Sequence, residues 1–428
     1  MYVRCLAASR LAATRRGARL RGGCQSCATG CLQPVVIITA RLRPWRAVAH
    51  VTGREKHTMA KTKAKSAEVL FASAAVERLE GRATLPAKFQ RMLDRLPMKR
   101  IAGGGTVALK VHVGGGIGFT TIPPLFVGLL VRKIKDAGAK RIFITDGSLS
   151  IHEATARGYT AEVLGAPLVG AAGVKDKFFY RHKIGYKTLK EIEVSGNIED
   201  ADALVNLSHF KGHGDCGYGA ACKNLAMGCV TQKSRGDLHQ LEGGLVYDEK
   251  LCIKCRKCVE ACTRDAAKWS KENNRLEIFY HNCVYCRHCV LACPKDAIRI
   301  VGGGFVPFQH GMALAAREVI RTFGPGRVVH INFLTQITVY CDCWGFSTPA
   351  LIPDVGILAS EDIVAVEKAS LDLTRDGDPL PGSLPPGRKL VEGRHLFERI
   401  HAKDPYVQID RLEAAGLGTR NYRLTEIK

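Results

Sequence analysis

Eight cysteines constrain this chain more than anything else in it. They fall in two runs, Cys252-x2-Cys255-x2-Cys258-x3-Cys262 and Cys283-x2-Cys286-x2-Cys289-x3-Cys293, the second followed at once by Pro294. Three thiolates spaced by two residues wrap one face of an iron–sulfur cubane, and a short helix then carries the fourth thiolate to a neighbouring cluster. The spacing therefore predicts two 4Fe–4S clusters. Cys252, Cys255, Cys258 and Cys293 are expected to hold the first, and Cys283, Cys286, Cys289 and Cys262 the second. Zinc is the rival, because paired C-x2-C sequences also build tetrahedral sites. Two complete runs in this order favour iron–sulfur chemistry over it.

Composition sets the rest of the frame. The chain has 428 residues, 46% of them hydrophobic and 24% charged, which suits a globular protein with a sizeable core. No run of eighteen apolar residues occurs, so no transmembrane helix is expected. Cluster-bearing cysteines imply a reducing compartment, and a cytoplasmic location is the expectation. The net charge of +23 is spread unevenly. Residues 1–58 carry +10 of it, from ten arginines and Lys56 against Glu55 alone. Residues 246–300 carry +4, and two oxidised clusters of roughly −2 each about neutralise that segment. The remaining surplus fits an acidic redox partner or an anionic substrate, and nucleic acid is not the expected ligand.

Residues 1–58 do not read as a domain. A twin-arginine signal needs an apolar stretch after Arg15-Arg16, and Gly17 to Arg21 does not provide one. A transit peptide fits the composition but not the four cysteines. The reading that fits best is a leader or upstream stretch before a start at Met59, whose Met-Ala-Lys-Thr-Lys is an ordinary N-terminus. Cys24-x2-Cys27-x3-Cys31 then has no cluster role.

From Ser66 onward, strands and helices alternate. Val69 to Ala72 predicts a strand and Leu85 to Leu96 an amphipathic helix. Thr106 to Val113 is an apolar run bounded by Gly103–Gly105 and Gly114–Gly116, which is how a buried parallel strand reads. A helix from Leu125 to Ala137, stopped by Gly138, leads to a strand from Arg141 to Thr145, closing one βαβ unit. Further strands are predicted at Ala203–Leu207, Arg327–Phe333 and Gly356–Ala359, and helices at Met312–Thr322 and Asp362–Leu371. The fold class is α/β: a mostly parallel sheet with flanking helices, occupying residues 59–245 and 302–428. An α+β ferredoxin-like module at residues 246–301 interrupts it, and Gly302–Gly304 marks the return. Asp376 to Arg388, rich in Pro and Gly, reads as a surface loop before a short helical tail.

Outside the clusters, the densest chemistry lies at the end of the strand Ala203–Leu207. The stretch His209-Phe-Lys211-Gly-His213 runs on through Gly217, Gly219, Lys223 and Asn224. Ligands of open parallel sheets bind outside the carboxyl ends of the strands. Glycines let backbone N–H groups approach an anion, and Lys211 and Lys223 add charge. The expected roles are catalytic for Lys211, His213 and Lys223, with His213 transferring a proton, and cofactor-binding for His209, Gly217, Gly219 and Asn224. Against this stands a plain Gly-rich surface loop. Cys341 and Cys343, one residue apart around Asp342, read as an extra metal or redox pair, with Cys216, Cys222 or Cys229 as candidate companions, or else as inert buried thiols. His239 is a further candidate, although a lone histidine is more often structural. The loop Gly114 to Thr121 matches neither nucleotide-binding pattern, and Lys110 and His112 beside it are read as facing solvent.

These residues resemble the domain of unknown function 362 family, in the version that carries an inserted ferredoxin segment. The resemblance rests on Val107-Ala-Leu-Lys110 with its glycine loop, Ser208-His-Phe-Lys-Gly-His213 and Gly219-Ala-Ala-Cys-Lys-Asn-Leu-Ala-Met-Gly228. It continues through Cys341-Asp-Cys343, Pro353 to Ser360 and Ala415-Gly-Leu-Gly418, covering about residues 66–428. It implies an iron–sulfur protein whose α/β domain has no settled activity, and it adds weight to Cys341 and Cys343. Thr263 departs from the family pattern, standing where a proline usually follows the fourth cysteine.

The expected function is single-electron transfer through two 4Fe–4S clusters to an anionic substrate or unidentified anionic cofactor in the α/β domain, which would make the chain an iron–sulfur oxidoreductase. An electron donor or acceptor protein is the expected partner. Two other readings stand beside it: a non-catalytic electron carrier or maturation factor, and a non-redox enzyme of isomerase type whose clusters are structural.

Overall fold

The computed structural model describes residues 66–263, 265–278, 283, 287–301, 305–345, 347–384 and 390–428. The leader at 1–58, the start at Met59, the glycines 302–304 and Cys286 lie outside the described residues.

One eight-stranded sheet organises the α/β part. Its order runs Tyr422–Glu426, Ala67–Ser73, Gly356–Ser360, Val328–Leu334, Ala203–His209, Thr106–Val111, Arg141–Asp146, Leu168–Gly170. Neighbours pair in parallel except at Gly356–Ser360, which runs antiparallel to both Ala67–Ser73 and Val328–Leu334. The sheet is thus mostly parallel, with one reversed strand. The chain leaves Val328–Leu334, makes the excursion 335–355 beyond the strand end, and returns beside it in the opposite direction.

The central strands read as continuous apolar runs because both of their faces are covered. Side chains alternate across the pleat. Ala108, Leu204 and Leu358 enter one core with the helices Ala221–Gly228, Phe305–Arg321 and Ile363–Thr374. Val107, Leu109, Val205, Leu207 and Ile331 enter the other, with Leu85–Arg95 and Pro124–Asp136. In the second core Phe89, Phe126 and Phe333 meet edge to face, with centroids 5.7, 5.4 and 5.0 Å apart. Burial of each ring contributes on the order of 2–3 kcal/mol. The helix Pro124–Asp136 opens on proline, whose missing N–H costs nothing in a first turn. Gly138 follows it with φ at 94°.

Two elements depart from the sequence reading. The helix expected from Met312 begins at Phe305, so Gly311 lies inside it rather than before it. A Cβ at Gly311 would stand 2.3 Å from Leu241 Cδ1, so this glycine permits close packing rather than ending a helix. The tail holds two helices and then the strand Tyr422–Glu426, paired in parallel with Ala67–Ser73. That strand lies at the sheet edge and is half exposed, so it has no apolar run to announce it.

The described residues between 244 and 301 form a small α+β unit. Gly244–Tyr247 pairs with Ile298–Val301 and Ala267–Ser270 with Arg275–Ile278, both antiparallel. Short helices span Lys257–Glu260 and His288–Leu291. Cys258, Ala267, Leu276 and Ile298 make a core separate from the two on the sheet. The halves repeat in backbone detail. Arg256 and Arg287 both take positive φ, 59° and 66°, two residues before Cys258 and Cys289. Ala266 N–H donates to Cys262 Sγ and Ala297 N–H to Cys293 Sγ, each at 3.2 Å.

Candidate functional site

Parallel strands leave their carboxyl ends on one edge, and three of them feed the same place. The loops after Thr106–Val111, Arg141–Asp146 and Ala203–His209 converge there with the segment 341–344 from the excursion 335–355. They enclose a cleft of about 120 Å³. Lys110, His112, Asp146, Lys211, His213, Asp215, Lys223, Asn224 and Arg235 line it, with His239, Cys341, Cys343 and Trp344. Thr263, His288 and Leu291 of the cysteine-rich unit close one side.

Lys110 and His112 do not face solvent, which corrects the sequence reading. Lys110 is fully buried, and its ammonium lies 2.9 Å from Asp146 Oδ1 and 2.5 Å from Asn224 Oδ1. Asp146 Oδ2 meets His112 Nδ1 at 2.8 Å and accepts from Val113 N–H at 3.1 Å. Burial pushes the Asp146 carboxyl up, but Lys110 and His112 outweigh it and hold it well below its ordinary value. His112 is itself lowered, chiefly by burial against the pull of Asp146. With Nδ1–H held by the carboxylate, the other ring nitrogen carries a lone pair. That atom, Nε2, is buried and has no hydrogen-bond partner among the described residues, on a side chain lining the cleft. A carboxylate-oriented imidazole of this kind is suited to accept a proton.

His213 is its counterpart. Asp215 N–H donates to His213 Nδ1 at 3.2 Å, so the ring proton sits on Nε2. Burial, with Lys223 and His239 adding to it, holds this imidazole well below its ordinary value, so the ring is neutral and offers an N–H. One histidine of the cleft therefore presents a lone pair and the other a donor.

Asp342 anchors the opposite wall. It meets His209 Nδ1 at 2.8 Å and Lys211 Nζ at 3.2 Å, and accepts from Thr120 Oγ1 at 3.2 Å. Burial raises it, yet His209 and Lys211 together hold it well below the usual carboxylate range. Its neighbours Cys341 and Cys343 are joined as a disulfide. Lys223 Nζ stands 3.5 Å from Cys343 Sγ, and burial beside Lys211 brings the lysine down to about 8.

The residues singled out in the sequence divide accordingly. Lys211, His213, Lys223 and Asn224 line the cleft. Asn224 spends its amide inward, on Lys110, Asn206 and the Leu207 carbonyl. His209 lies behind the wall, with Asp342 on one nitrogen and the Thr335 carbonyl on the other at 2.9 Å. Gly217 and Gly219 do not line the cleft. A Cβ on Gly217 would come within 3.0 Å of the Lys403 carbonyl oxygen, and one on Gly219 within 2.8 Å of Lys223 Cδ. The glycine loop at 114–118 packs on the disulfide loop instead: Ile117 N–H donates to the Gly345 carbonyl at 2.9 Å. Cys216, Cys222 and Cys229 are buried thiols that do not line the cleft, although Cys216 Sγ lies 3.2 Å from His213 Nδ1; burial pushes all three up, Cys229 to about 12.

His239 belongs to a buried group with Asp215 and Glu242, whose ligand atoms lie within 4.8 Å of one another. Cationic side chains already serve this group: Arg287 meets Asp215 at 2.9 Å, and Lys403 acts on Glu242. Burial still pushes Asp215 up to about 6 and Glu242 to about 8. The group reads as an acid–base cluster whose cations come from the chain itself.

In the cysteine-rich unit, Cys252, Cys255, Cys258 and Cys293 surround one small cavity with Pro294 and Trp269. Backbone N–H groups point at the sulfurs, as from Lys254 to Cys252 at 3.3 Å. Four thiols about one space, with amide donors aimed at sulfur, is a donor set that fits a 4Fe–4S cluster. Of the other four, Cys262, Cys283 and Cys289 are described and Cys286 is not.

Among the described residues no helix is long and apolar enough to cross a membrane. No curated protein matches the chain. Among solved structures it is similar to a Thermotoga maritima protein of structural genomics origin, at 13% identity and a TM-score of 0.31, over 60% of this chain and 52% of that one. It is also similar to the lactate racemase apoprotein of Thermoanaerobacterium thermosaccharolyticum, at 14% identity and a TM-score of 0.26, over 54% and 48%. The matched part thus spans about half the length of each. A family model described as Domain of unknown function (DUF362) matches residues 107–372, from the second residue of the strand Thr106–Val111 to beyond Gly356–Ser360, a span that holds the cleft loops and the cysteine-rich unit. The chain belongs to the DUF362 family.

Proposed function

We propose that this protein is an iron–sulfur redox protein that delivers single electrons to an anionic substrate or cofactor held in the cleft. Residues 244–301 would act as a ferredoxin-like module inserted in the α/β domain. Cys252, Cys255, Cys258 and Cys293 would hold one 4Fe–4S cluster, and Cys262, Cys283, Cys286 and Cys289 the other. Such clusters supply one-electron carriers at a potential set by charge, hydrogen bonds to sulfur and exposure.

The observation that carries the reading is the shared wall. His288 and Leu291, on either side of Cys289, line the same cleft as Lys110, Lys211, Lys223 and Arg235. Electron transfer needs that proximity, and an insertion achieves it at small cost in chain entropy. In the cleft, Lys223 and Lys211 attract the anionic group, His213 Nε2–H donates to it, and His112 Nε2 accepts a proton from it. Asp146 and Asp342 hold the base and the lysine in place.

The test is anaerobic purification followed by iron and sulfide analysis, then titration with a one-electron reductant while candidate anions are added. The reading expects about eight irons per chain and a reduced spectrum that an anion in the cleft perturbs. A Lys211→Gln, Lys223→Gln variant should lose that perturbation and keep its iron. Loss of iron in that variant would mark the loop as structural instead.

A further inference from the structure

The cleft contains an oxidised group of the chain's own. Cys341 and Cys343 are disulfide-bonded and both line the wall. They differ from the packing thiols Cys216, Cys222 and Cys229, which are buried and do not line it. The residue between them, Asp342, is buried and held by His209 and Lys211, so the loop is fixed from behind. From the front, Lys223 Nζ reaches Cys343 Sγ at 3.5 Å. An ammonium there opposes a metal cation on the same sulfur and favours a thiolate.

The pair is also joined to the cysteine-rich unit. The His288 ring packs on Trp344 with centroids 3.9 Å apart, and Trp344 stacks on Tyr340 at 4.7 Å. His288 immediately precedes Cys289, and Trp344 immediately follows Cys343. One aromatic contact therefore separates a residue beside an expected cluster ligand from a residue beside the disulfide.

We propose that the Cys341–Cys343 disulfide is the cleft's two-electron acceptor, reduced by electrons that enter through residues 244–301, an inference that rests on the cluster-bearing reading above. In the step, the S–S bond breaks and two electrons enter. Cys343 sulfur separates as a thiolate against the Lys223 ammonium, two protons are taken up from solvent through the cleft, and two thiols result. The electrons come from an external low-potential one-electron donor. Two one-electron centres match the two electrons that a disulfide requires. The Ile117 N–H bond to the Gly345 carbonyl and the ion pairs of Asp342 hold the loop that carries the sulfurs.

The test uses the full chain with its iron. The wild type and a Cys341→Ser, Cys343→Ser variant are titrated anaerobically with reduced methyl viologen, and cysteines are alkylated before and after for mass spectrometry. The wild type should take up about two more electrons per chain than the variant. Its Cys341 and Cys343 should be unlabelled before reduction and labelled after it. Lys223→Gln should keep that count but slow the labelling roughly tenfold, the size of a lost charge-assisted hydrogen bond. Equal uptake by wild type and double variant, or both cysteines labelled before any reductant is added, overturns the proposal. An unchanged labelling rate in Lys223→Gln overturns the thiolate contact. Protein without iron overturns the cluster-bearing reading along with it, whereas full iron with equal uptake overturns this inference alone.

Discussion

Arg287 and Asp215 meet at 2.9 Å, and this ion pair ties the cysteine-rich unit to the cleft. Asp215 sits in the loop after Ala203–His209, while Arg287 opens the helix that carries Cys289. Breaking a buried pair by removing one partner costs about 3–5 kcal/mol, because the other charge stays behind unpaired. Arg287→Met should therefore destabilise the protein by an amount near the lower end of that range, since Arg287 keeps some exposure. Asp215→Asn in the same chain should recover much of the loss. Anaerobic denaturant unfolding of the single and double variants measures it, and additive losses would mean that the pair does not couple the two parts.

Lys110 is the more severe case. It is fully buried between Asp146 and Asn224. Lys110→Met takes the buried ammonium from the Asp146 carboxylate, leaving it His112 and the backbone N–H groups of Val113 and Gly147, and should cost about 3–5 kcal/mol. Lys110→Met with Asp146→Asn should lose less. Thermal unfolding of both variants gives the comparison.

The acid–base character of the core predicts a pH dependence. Glu367 is fully buried, accepts the Cys222 N–H at 2.6 Å, and is pushed up by burial from 4.5 to about 7. The folded protein keeps this proton to higher pH than the unfolded chain. The associated stability is complete below about pH 4.5 and is lost as pH rises to about 7. Glu367→Gln keeps the accepting oxygen and removes the ionisation. Relative to wild type it should gain on the order of 3 kcal/mol between pH 4.5 and 8. A difference between the two that stays constant with pH would contradict the assignment.

His112 and His213 are expected to act as opposites. His112→Gln removes the free lone pair of the cleft, while His213→Gln still has an N–H to offer. If an anion that co-purifies is identified by native mass spectrometry, His213→Gln should retain most of its affinity. His213→Ala should lose roughly tenfold, the size of one hydrogen bond to a charged group. Equal losses in the two would argue against donation from Nε2.

Much of the scaffold could be read from the chain because buried parallel strands are continuous apolar runs. Thr106–Val111, Arg141–Asp146, Ala203–His209 and Val328–Leu334 all announce themselves this way. The half-exposed edge strand Tyr422–Glu426 does not, since its partner is far away at Ala67–Ser73. Alternation also misleads where a strand reaches a site. Lys110 sits in an apolar run as a solvent-facing lysine would, and Asp146 from the next strand, with Asn224 from a distant helix, explains its burial. His112 was likewise hidden, although Asp146-Gly147 at the end of the strand predicted from Arg141 was the available signal. The glycines of 217–219 suggested an anion cradle, but their room is taken by Lys403 and Lys223. Composition alone does not separate close approach of a ligand from close approach of the chain to itself.

The central claim is that residues 244–301 bring two electron carriers to the wall of a basic cleft. Iron and acid-labile sulfide counted on anaerobically purified protein test it most directly, with Cys258→Ala and Cys289→Ala in parallel. The account predicts about eight irons per chain in the wild type and loss of roughly half in each variant. Zinc in place of iron, or no more than about four irons in the wild type, would contradict it.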